Sequence, residues 1–119
     1  MVLVDTSVWV DHLRRGNSSL IDLLSNAVVV CHHFVVGELA CGNLSNRSEV
    51  LSLLQSLPST PEVPHEDQLQ FVERHRLMGR GLGFVDVQLL ASARLAAIPL
   101  WTLDRRLREA AAELNASYR

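Results

Sequence analysis

Apolar positions follow two spacings along this chain, one typical of buried strands and the other of amphipathic helices. Continuous apolar runs at 2–4, 27–31 and 99–102 predict short parallel strands covered on both faces. Elsewhere apolar residues recur every three or four positions, and Ser, Asn, Asp, Gly or Pro mark the ends of these helical stretches. The predicted helices are one between Thr6 and Gly16, one capped by Ser18 or Ser19, and others at 33–44, 47–57, 65–78, 85–97 and 104–114.

This alternation of strands and helices predicts an α/β domain with a mostly parallel central sheet. Pro58, Pro61 and Pro64 mark a loop or a short strand after the helix at 47–57. In sheets of this kind, ligands bind beyond the carboxyl ends of the strands. Polar residues at those ends are therefore the first candidates for function.

The composition indicates one globular domain over residues 1–119. Hydrophobic residues make up 48% and charged residues 20% of the chain, which excludes a mainly disordered or collagen-like protein. No apolar run approaches the roughly 18–20 residues that span a bilayer. The N-terminal segment has no basic region and reaches Asp5 at once, so we expect no secretory signal, no membrane association and a cytoplasmic location.

The charge balance narrows the function only slightly. The formal net charge is −2, and all 11 Lys or Arg positions are Arg. This balance argues against a protein that holds nucleic acid by bulk charge, but not against an enzyme that acts on it. Cys31 and Cys41 are expected to be reduced and buried. His32 and His33 lack the repeated Cys or His spacing of a zinc site, so we expect them to be structural or exposed.

Four acidic residues stand where a functional site is expected. Asp5 ends the first strand, Asp104 follows the strand at 99–102, and Asp86 starts a helix after a glycine-rich loop. Each Asp taken singly is also explained as a helix N-cap. Glu38 lies in an apolar segment without a neighbouring cation, where it is either a costly buried carboxylate or part of a solvated helix face.

Taken together, the four acids favour a metal site. Carboxylates held about 5 Å apart repel by roughly 3 kcal/mol per pair at an effective dielectric constant of 20. Mg²⁺ or Mn²⁺ is the natural compensation, because these ions prefer carboxylate and water oxygens. Sites of this kind support metal-assisted phosphoryl transfer, in which the metal activates a water molecule.

Four motifs carry a resemblance to a known family. They are VDTSVW at 4–9, GELACG at 37–42, DVQLLASA at 86–93 and LWTLD at 100–104. In this order and spacing the chain resembles a PIN domain, most closely the VapC toxins of prokaryotic toxin–antitoxin pairs, from residue 3 to about 114. The resemblance implies a three-layer α/β/α fold with strand order 3-2-1-4-5 and a pocket that holds Mg²⁺ or Mn²⁺. It also implies endoribonuclease activity.

The resemblance also implies roles for particular residues and partners. Asp5, Glu38, Asp86 and Asp104 match the metal-binding and catalytic acids. Thr6 matches a hydroxyl that helps to fix the first acid, and Thr102 one that supports the last acid. The implied partners are an RNA substrate and a VapB-like antitoxin that covers the pocket. The implied assembly is a homodimer, which becomes a heterotetramer or larger with the antitoxin.

Apolar stripes on two short helices are expected to be mainly core, with a part available as a groove for an antitoxin helix. Their members are Leu20, Leu23, Leu24, Val50, Leu51 and Leu54. Five arginines flank the predicted pocket in sequence and are candidates for phosphate contacts, with a solvated surface charge as the alternative for each. They are Arg14, Arg15, Arg80, Arg105 and Arg106.

The chain departs from the family pattern at two places, and the first of them, Arg106, leaves a second function open. Some members carry another acid where this chain has Arg106, which argues against a fully occupied second metal site. The short segment 115–119 predicts a fifth strand that is brief or missing. The alternative function is a PIN-like module that binds RNA or a partner protein without catalysis.

An aspartyl phosphotransferase is disfavoured, because position 7 is Ser rather than a second Asp and the chain has no Lys.

Overall fold

Three short strands and seven helices make up the computed structural model, which describes residues 1–119. The strands are β1 (Val2–Val4), β2 (Val29–Val30) and β3 (Leu100–Trp101). The helices are α1 (Thr6–Arg15), α2 (Ser18–Ser25), α3 (His33–Ala40), α4 (Arg47–Ser56), α5 (His65–His75), α6 (Phe84–Ala96) and α7 (Arg105–Glu113). Every predicted strand and helix is present, so the α/β class is confirmed.

The sheet is parallel and has β1 at its centre. The strand order is β2-β1-β3, with Leu3 opposite both Val30 and Leu100. Single parallel bridges add one position at each edge, Cys31 to Ser59 and Leu100 to Ser117. The predicted order 3-2-1-4-5 is therefore present in its three central strands, while its outer strands are reduced to one bridge each. Proline has no backbone N–H to donate, and Pro58 and Pro61 flank the first bridge, which explains its shortness.

Several predicted boundaries need correction. The side chain of Asn17, rather than that of Ser18 or Ser19, caps α2 by accepting the Leu20 N–H at 3.0 Å. Helix α3 ends at Ala40, four residues earlier than predicted, and leaves Cys41 exposed instead of buried. Helix α5 ends at His75 because Arg76 adopts a left-handed backbone conformation, with φ +53°.

The core is one cluster of 21 buried apolar residues around β1. All three residues of β1 are buried, since helices cover both faces of the sheet. Cys31 is buried, and both cysteines are free thiols, as expected. No helix in the structure is both long enough and apolar enough to span a membrane.

Candidate active site

Asp5 lies at the carboxyl end of β1, where the strand passes into α1. Only 5% of the residue is exposed. Its Oδ2 accepts hydrogen bonds from the hydroxyls of Ser7 at 2.6 Å and Thr102 at 2.8 Å, and from the Ser7 backbone N–H at 3.3 Å. The carboxylate therefore caps α1 and is held in one orientation by two hydroxyl groups.

Asp104 lies at the neighbouring strand end. Strands β1 and β3 run parallel, and the Asp5 N–H donates to the Trp101 carbonyl at 2.9 Å, so their carboxyl ends meet. Oδ1 of Asp104 caps α7 by accepting the Leu107 N–H at 3.0 Å. The Asp104 N–H in turn donates to the Thr102 hydroxyl at 3.0 Å. Thr102 thus connects both strand ends, through the carboxylate of Asp5 and the backbone N–H of Asp104.

Asp86 approaches the same edge of the sheet from the first turn of α6. Its Oδ2 accepts the Gly83 N–H at 2.8 Å, which closes the start of the helix. Burial raises the pKa of the Asp86 carboxyl, the Gly83 N–H lowers it, and the charges of Asp5 and Asp104 raise it further. Three of the four predicted acids therefore lie close enough to repel one another.

Glu38 reaches the site differently from the expectation. The residue is exposed on α3, and its Oε1 accepts the Thr6 hydroxyl at 2.6 Å. The sequence left two interpretations of Glu38 open, a buried carboxylate or a solvated helix face. Its exposure agrees with the solvated helix face. Thr6 is therefore attached to the second acid rather than to the first, and this part of the resemblance is wrong in detail. The hydroxyl beside Asp5 belongs to Ser7.

All four carboxylates share one feature: one oxygen accepts protein hydrogen bonds and the other accepts none. The only buried side-chain polar atom without a partner is Nε1 of Trp9, so the second oxygens of Asp5 and Asp86 reach solvent. Oriented carboxylate oxygens that face solvent fit the ligand preferences of Mg²⁺ and Mn²⁺. No three His, Cys, Asp or Glu side chains lie close enough to bind one ion directly.

The five candidate arginines divide by their partners. Arg80 forms a two-point contact with Glu113, at 2.8 and 2.7 Å. Arg15 and Arg105 form single contacts with Asp11 and Glu109, each four residues away on the same helix.

Arg14 and Arg106 form no ion pair in the structure. Arg14 lines a groove of about 330 Å³ beside Thr6 and Glu38. The Arg106 side chain lies over Gly81, so closely that a Cβ there would stand 2.6 Å from Nη1. Neither of these two cations is therefore held by a carboxylate.

Four further polar residues that make hydrogen bonds in or near the site received no role from the sequence. They are Ser7, Gln68, Gln88 and Ser92, of which the last three are buried. Ser7 stands next to the matched Thr6, and its position two residues after Asp5 was a usable signal. Gln88 and Ser92 lie within the motif at 86–93 but carry no predicted role, and Gln68 on the charged helix α5 has no distinguishing spacing. His32 is buried and His33 is exposed beside Glu62 at 3.1 Å, as expected for structural or exposed residues.

Comparisons with known proteins identify the family of this chain. The PIN domain model matches residues 2–113. The chain is 48% identical over 114 residues to Ribonuclease VapC32 from two strains of Mycobacterium tuberculosis, covering 95% of this chain and 92% of that protein. The chain belongs to the PIN-domain family. Within that family it is VapC-like.

Two solved structures share the fold. FitAcB from Neisseria gonorrhoeae superposes with a TM-score of 0.65 and 22% identity, over 94% of each chain. PAE2754 from Pyrobaculum aerophilum superposes with a TM-score of 0.63 and 19% identity, over 92% of this chain and 78% of that chain. The PIN-like architecture of this chain is therefore also that of solved proteins.

Proposed function

We propose that this protein is a metal-dependent endoribonuclease that acts as the toxin of a toxin–antitoxin pair. The observation that carries the proposal is the meeting of Asp5, Asp86 and Asp104 at one sheet edge, each with one oxygen left for a ligand. The similarity to a protein named Ribonuclease VapC32 supports RNA as the substrate. An acidic pocket of this kind accepts a phosphodiester only when a cation neutralises it.

Asp5, Glu38 and Asp86 are the proposed ligands of Mg²⁺ or Mn²⁺, with at least one of the three binding the ion through water. When bound, the ion lowers the pKa of a water molecule and neutralises charge on the phosphate. Ser7 and Thr102 hold the Asp5 carboxylate, so that it does not have to reorganise when the ligand binds. Asp104 completes the ligand shell or positions the attacking water, since it is exposed next to Asp5.

Arg14 and Arg106 are the proposed phosphate contacts among the five candidate arginines. Both are exposed and free of ion pairs, and each lies beside a part of the acidic site. Arginine binds phosphate in a planar, two-point geometry, so a free guanidinium is suited to this role. Arg80 is already bound at two points by Glu113.

The proposed protein partner is a VapB-like antitoxin. Leu20 and Leu54 are fully buried and the other four residues of the apolar stripes pack against the core, so the stripes are mainly core. On the same two helices Ile21 and Leu53 remain 48% and 49% exposed. We expect Ile21→Glu and Leu53→Glu to weaken binding of the co-expressed antitoxin, whereas Leu95→Glu, on a different exposed apolar residue, does not. Equal binding by all three variants would place the antitoxin elsewhere.

The decisive experiment measures RNA cleavage and metal binding together. Purified wild-type protein is expected to cleave total RNA with Mg²⁺ or Mn²⁺ and to stop when EDTA is added. Asp5→Asn is expected to lose cleavage, while Arg105→Gln, which removes a surface charge paired with Glu109, retains it. Cleavage by Asp5→Asn at the wild-type rate would contradict the assignment. RNA binding without cleavage by the wild-type protein would favour the interaction module instead.

A further inference from the structure

Four buried polar side chains form a hydrogen-bonded group that the proposed mechanism does not use. His32, Gln68, Gln88 and Ser92 are each at most 2% exposed. Burying a polar side chain costs free energy unless its hydrogen bonds are made, so a group of this kind specifies a geometry rather than adding packing. In this structure every one of the four side chains has partners.

One end of this buried polar network is the start of α3. The Phe34 backbone N–H donates to Nδ1 of His32 at 2.9 Å, and an N–H only donates. The neutral ring therefore carries its proton on Nε2. Nε2 lies 3.1 Å from the Ser92 hydroxyl and 3.3 Å from Oε1 of Gln88, both on α6.

Gln88 is the centre of the network. Its Oε1 accepts the Val63 N–H at 2.7 Å, and its Nε2 donates to the Val63 carbonyl at 3.1 Å. The same Nε2 donates to Oε1 of Gln68, on α5, at 2.5 Å. Both polar atoms of the amide are thus satisfied, and no other side chain contacts α3, α5 and the segment before α5 through hydrogen bonds.

The other end of the network is the start of α6. Nε2 of Gln68 donates to the Phe84 carbonyl at 2.7 Å, and Phe84 is the first residue of α6, two residues before Asp86. Helix α3 packs mainly on α1 and α4, whereas α6 packs on α5, α7 and β3. The hydrogen bonds from Nε2 of His32 to Gln88 and Ser92 are therefore the polar link between the start of α3 and α6.

We propose that Gln88 and Gln68 are positioning residues that fix the start of α6 relative to the start of α3, and thereby set Asp86 against Glu38. The inference rests on the proposed function, because those two acids belong to the proposed metal site. Residues that orient the metal-binding side chains without contacting the ion typically change metal affinity by 10–100-fold when they are replaced. Gln88 and Gln68 touch no substrate and supply no ligand.

The test compares Gln88→Met and Gln68→Met with Leu54→Ala. Methionine keeps the length of glutamine and removes its hydrogen bonds, and Gln68→Met leaves Gln88 bonded to Val63 if the first variant does not fold. Leu54, on α4, is a buried residue outside the network, and its truncation provides a comparable loss of stability. We expect the Mn²⁺ dissociation constant, measured by calorimetry, to rise roughly tenfold in both Gln variants. It should stay near the wild-type value in Leu54→Ala.

Amide hydrogen exchange of the metal-free protein gives an independent result. We expect Gln68→Met, although it lies on α5, to accelerate exchange at the starts of both α6 and α3. Wild-type Mn²⁺ affinity in both Gln variants, or an equal loss in Leu54→Ala, would overturn the proposal. If Asp86→Asn binds Mn²⁺ as tightly as the wild type, the proposed metal site is wrong. In that case the hydrogen-exchange data alone test whether the network couples α6 to α3. Acceleration confined to α5 would refute this coupling.

Discussion

Thr102 Oγ1 donates a hydrogen bond of 2.8 Å to Oδ2 of Asp5, although the two residues lie 97 positions apart. The contact connects the carboxyl ends of β1 and β3, and Thr102 is only 3% exposed. The same hydroxyl accepts the N–H of Asp104. One side chain thus stabilises the sheet edge and orients two acids of the proposed site.

Replacing Thr102 with Val tests this double role. The variant keeps the shape, but removes a hydrogen bond to a buried carboxylate and leaves the Asp104 N–H without its acceptor. We expect a loss of about 2–3 kcal/mol in the free energy of unfolding, measured with urea, because bonds to charged groups contribute about 1.5–3 kcal/mol. Thr102→Ser, which keeps the hydroxyl, should lose only about 1 kcal/mol for its missing methyl group. Equal losses in both variants would assign the effect to packing.

Asp86 offers a test of the conflict between stability and function. Burial, followed by the charges of Asp5 and Asp104, raises the pKa of Asp86 above its ordinary value of 3.8. The contribution of this group to stability is therefore full below about pH 3.8 and is lost as the pH rises through the folded-state pKa. We expect metal-free Asp86→Asn to be more stable than the wild type at pH 7.

With bound metal, we expect the wild type to be more stable than Asp86→Asn. For the wild type, an ion at 100 times its dissociation constant adds about 2.7 kcal/mol to the free energy of unfolding. Asp86→Asn should gain much less, so thermal unfolding with and without Mn²⁺ measures both effects. A lower metal-free Tm for Asp86→Asn would mean that repulsion at this site does not limit stability.

The sequence predicted the strand ends better than the contacts between them. Asp5, Asp86 and Asp104 were recognisable because each follows an apolar run or a glycine-rich loop, and parallel strands bring such ends together. The partner of Thr6 was not predictable, since neighbouring hydroxyls at positions 6 and 7 point to different acids once α1 begins. Spacing along a chain does not encode this choice.

Helix ends show the same limit. Asn17 and Ser18 are both good N-caps, and only the observed backbone geometry decides between them. The buried contacts of Gln88 depend on residues up to 56 positions away, so no local pattern announces them. Elements that rest on local spacing were therefore predictable, and polar contacts between distant segments were not.

Because burial lowers the pKa of His32, we expect the protein to lose stability in mild acid. Burial lowers the pKa of His32 below 6.5, the hydrogen bond from His32 to Gln88 partly offsets this, and protonation would remove the acceptor that caps α3. The stability contribution is present above about pH 6.5 and is lost as the pH falls towards the folded-state pKa. One proton gives a limiting slope of about 1.4 kcal/mol per pH unit.

His32→Asn keeps a capping oxygen and removes the titration, so its unfolding free energy should depend less steeply on pH between 6.5 and 5 than that of the wild type. His75, whose pKa is also lowered by burial and by Arg94 and Arg74, is the second contributor. The change of slope in His32→Asn is therefore compared with that in His75→Asn, which should also be reduced. Urea unfolding at several pH values measures the slopes, and an unchanged slope in His32→Asn would contradict the assignment.

The division among the arginines predicts different salt dependences. Arg14→Gln and Arg106→Gln should each reduce the slope of log affinity against log salt for single-stranded RNA by about 0.7–1. Arg80→Gln should leave the slope unchanged, because Arg80 is held by Glu113. Binding is measured by fluorescence anisotropy in an Asp5→Asn background, which prevents cleavage. A reduced slope for Arg80→Gln alone would reverse the assignment.

Gly81 and Gly79 form a natural pair for testing the position of Arg106. Both have positive φ, +77° and +71°, but only Gly81 lies against a side chain, with Nη1 of Arg106 2.6 Å from the position of a Cβ. Alanine at either position should cost about 1–2 kcal/mol, because L-residues are strained in this conformation. Gly81→Ala should in addition displace Arg106, and thus reproduce the weaker salt dependence of Arg106→Gln. Gly79→Ala should bind RNA with the wild-type slope once both proteins are shown to be folded by circular dichroism. If the two alanine variants share one slope, the contact with Gly81 does not position Arg106 for RNA.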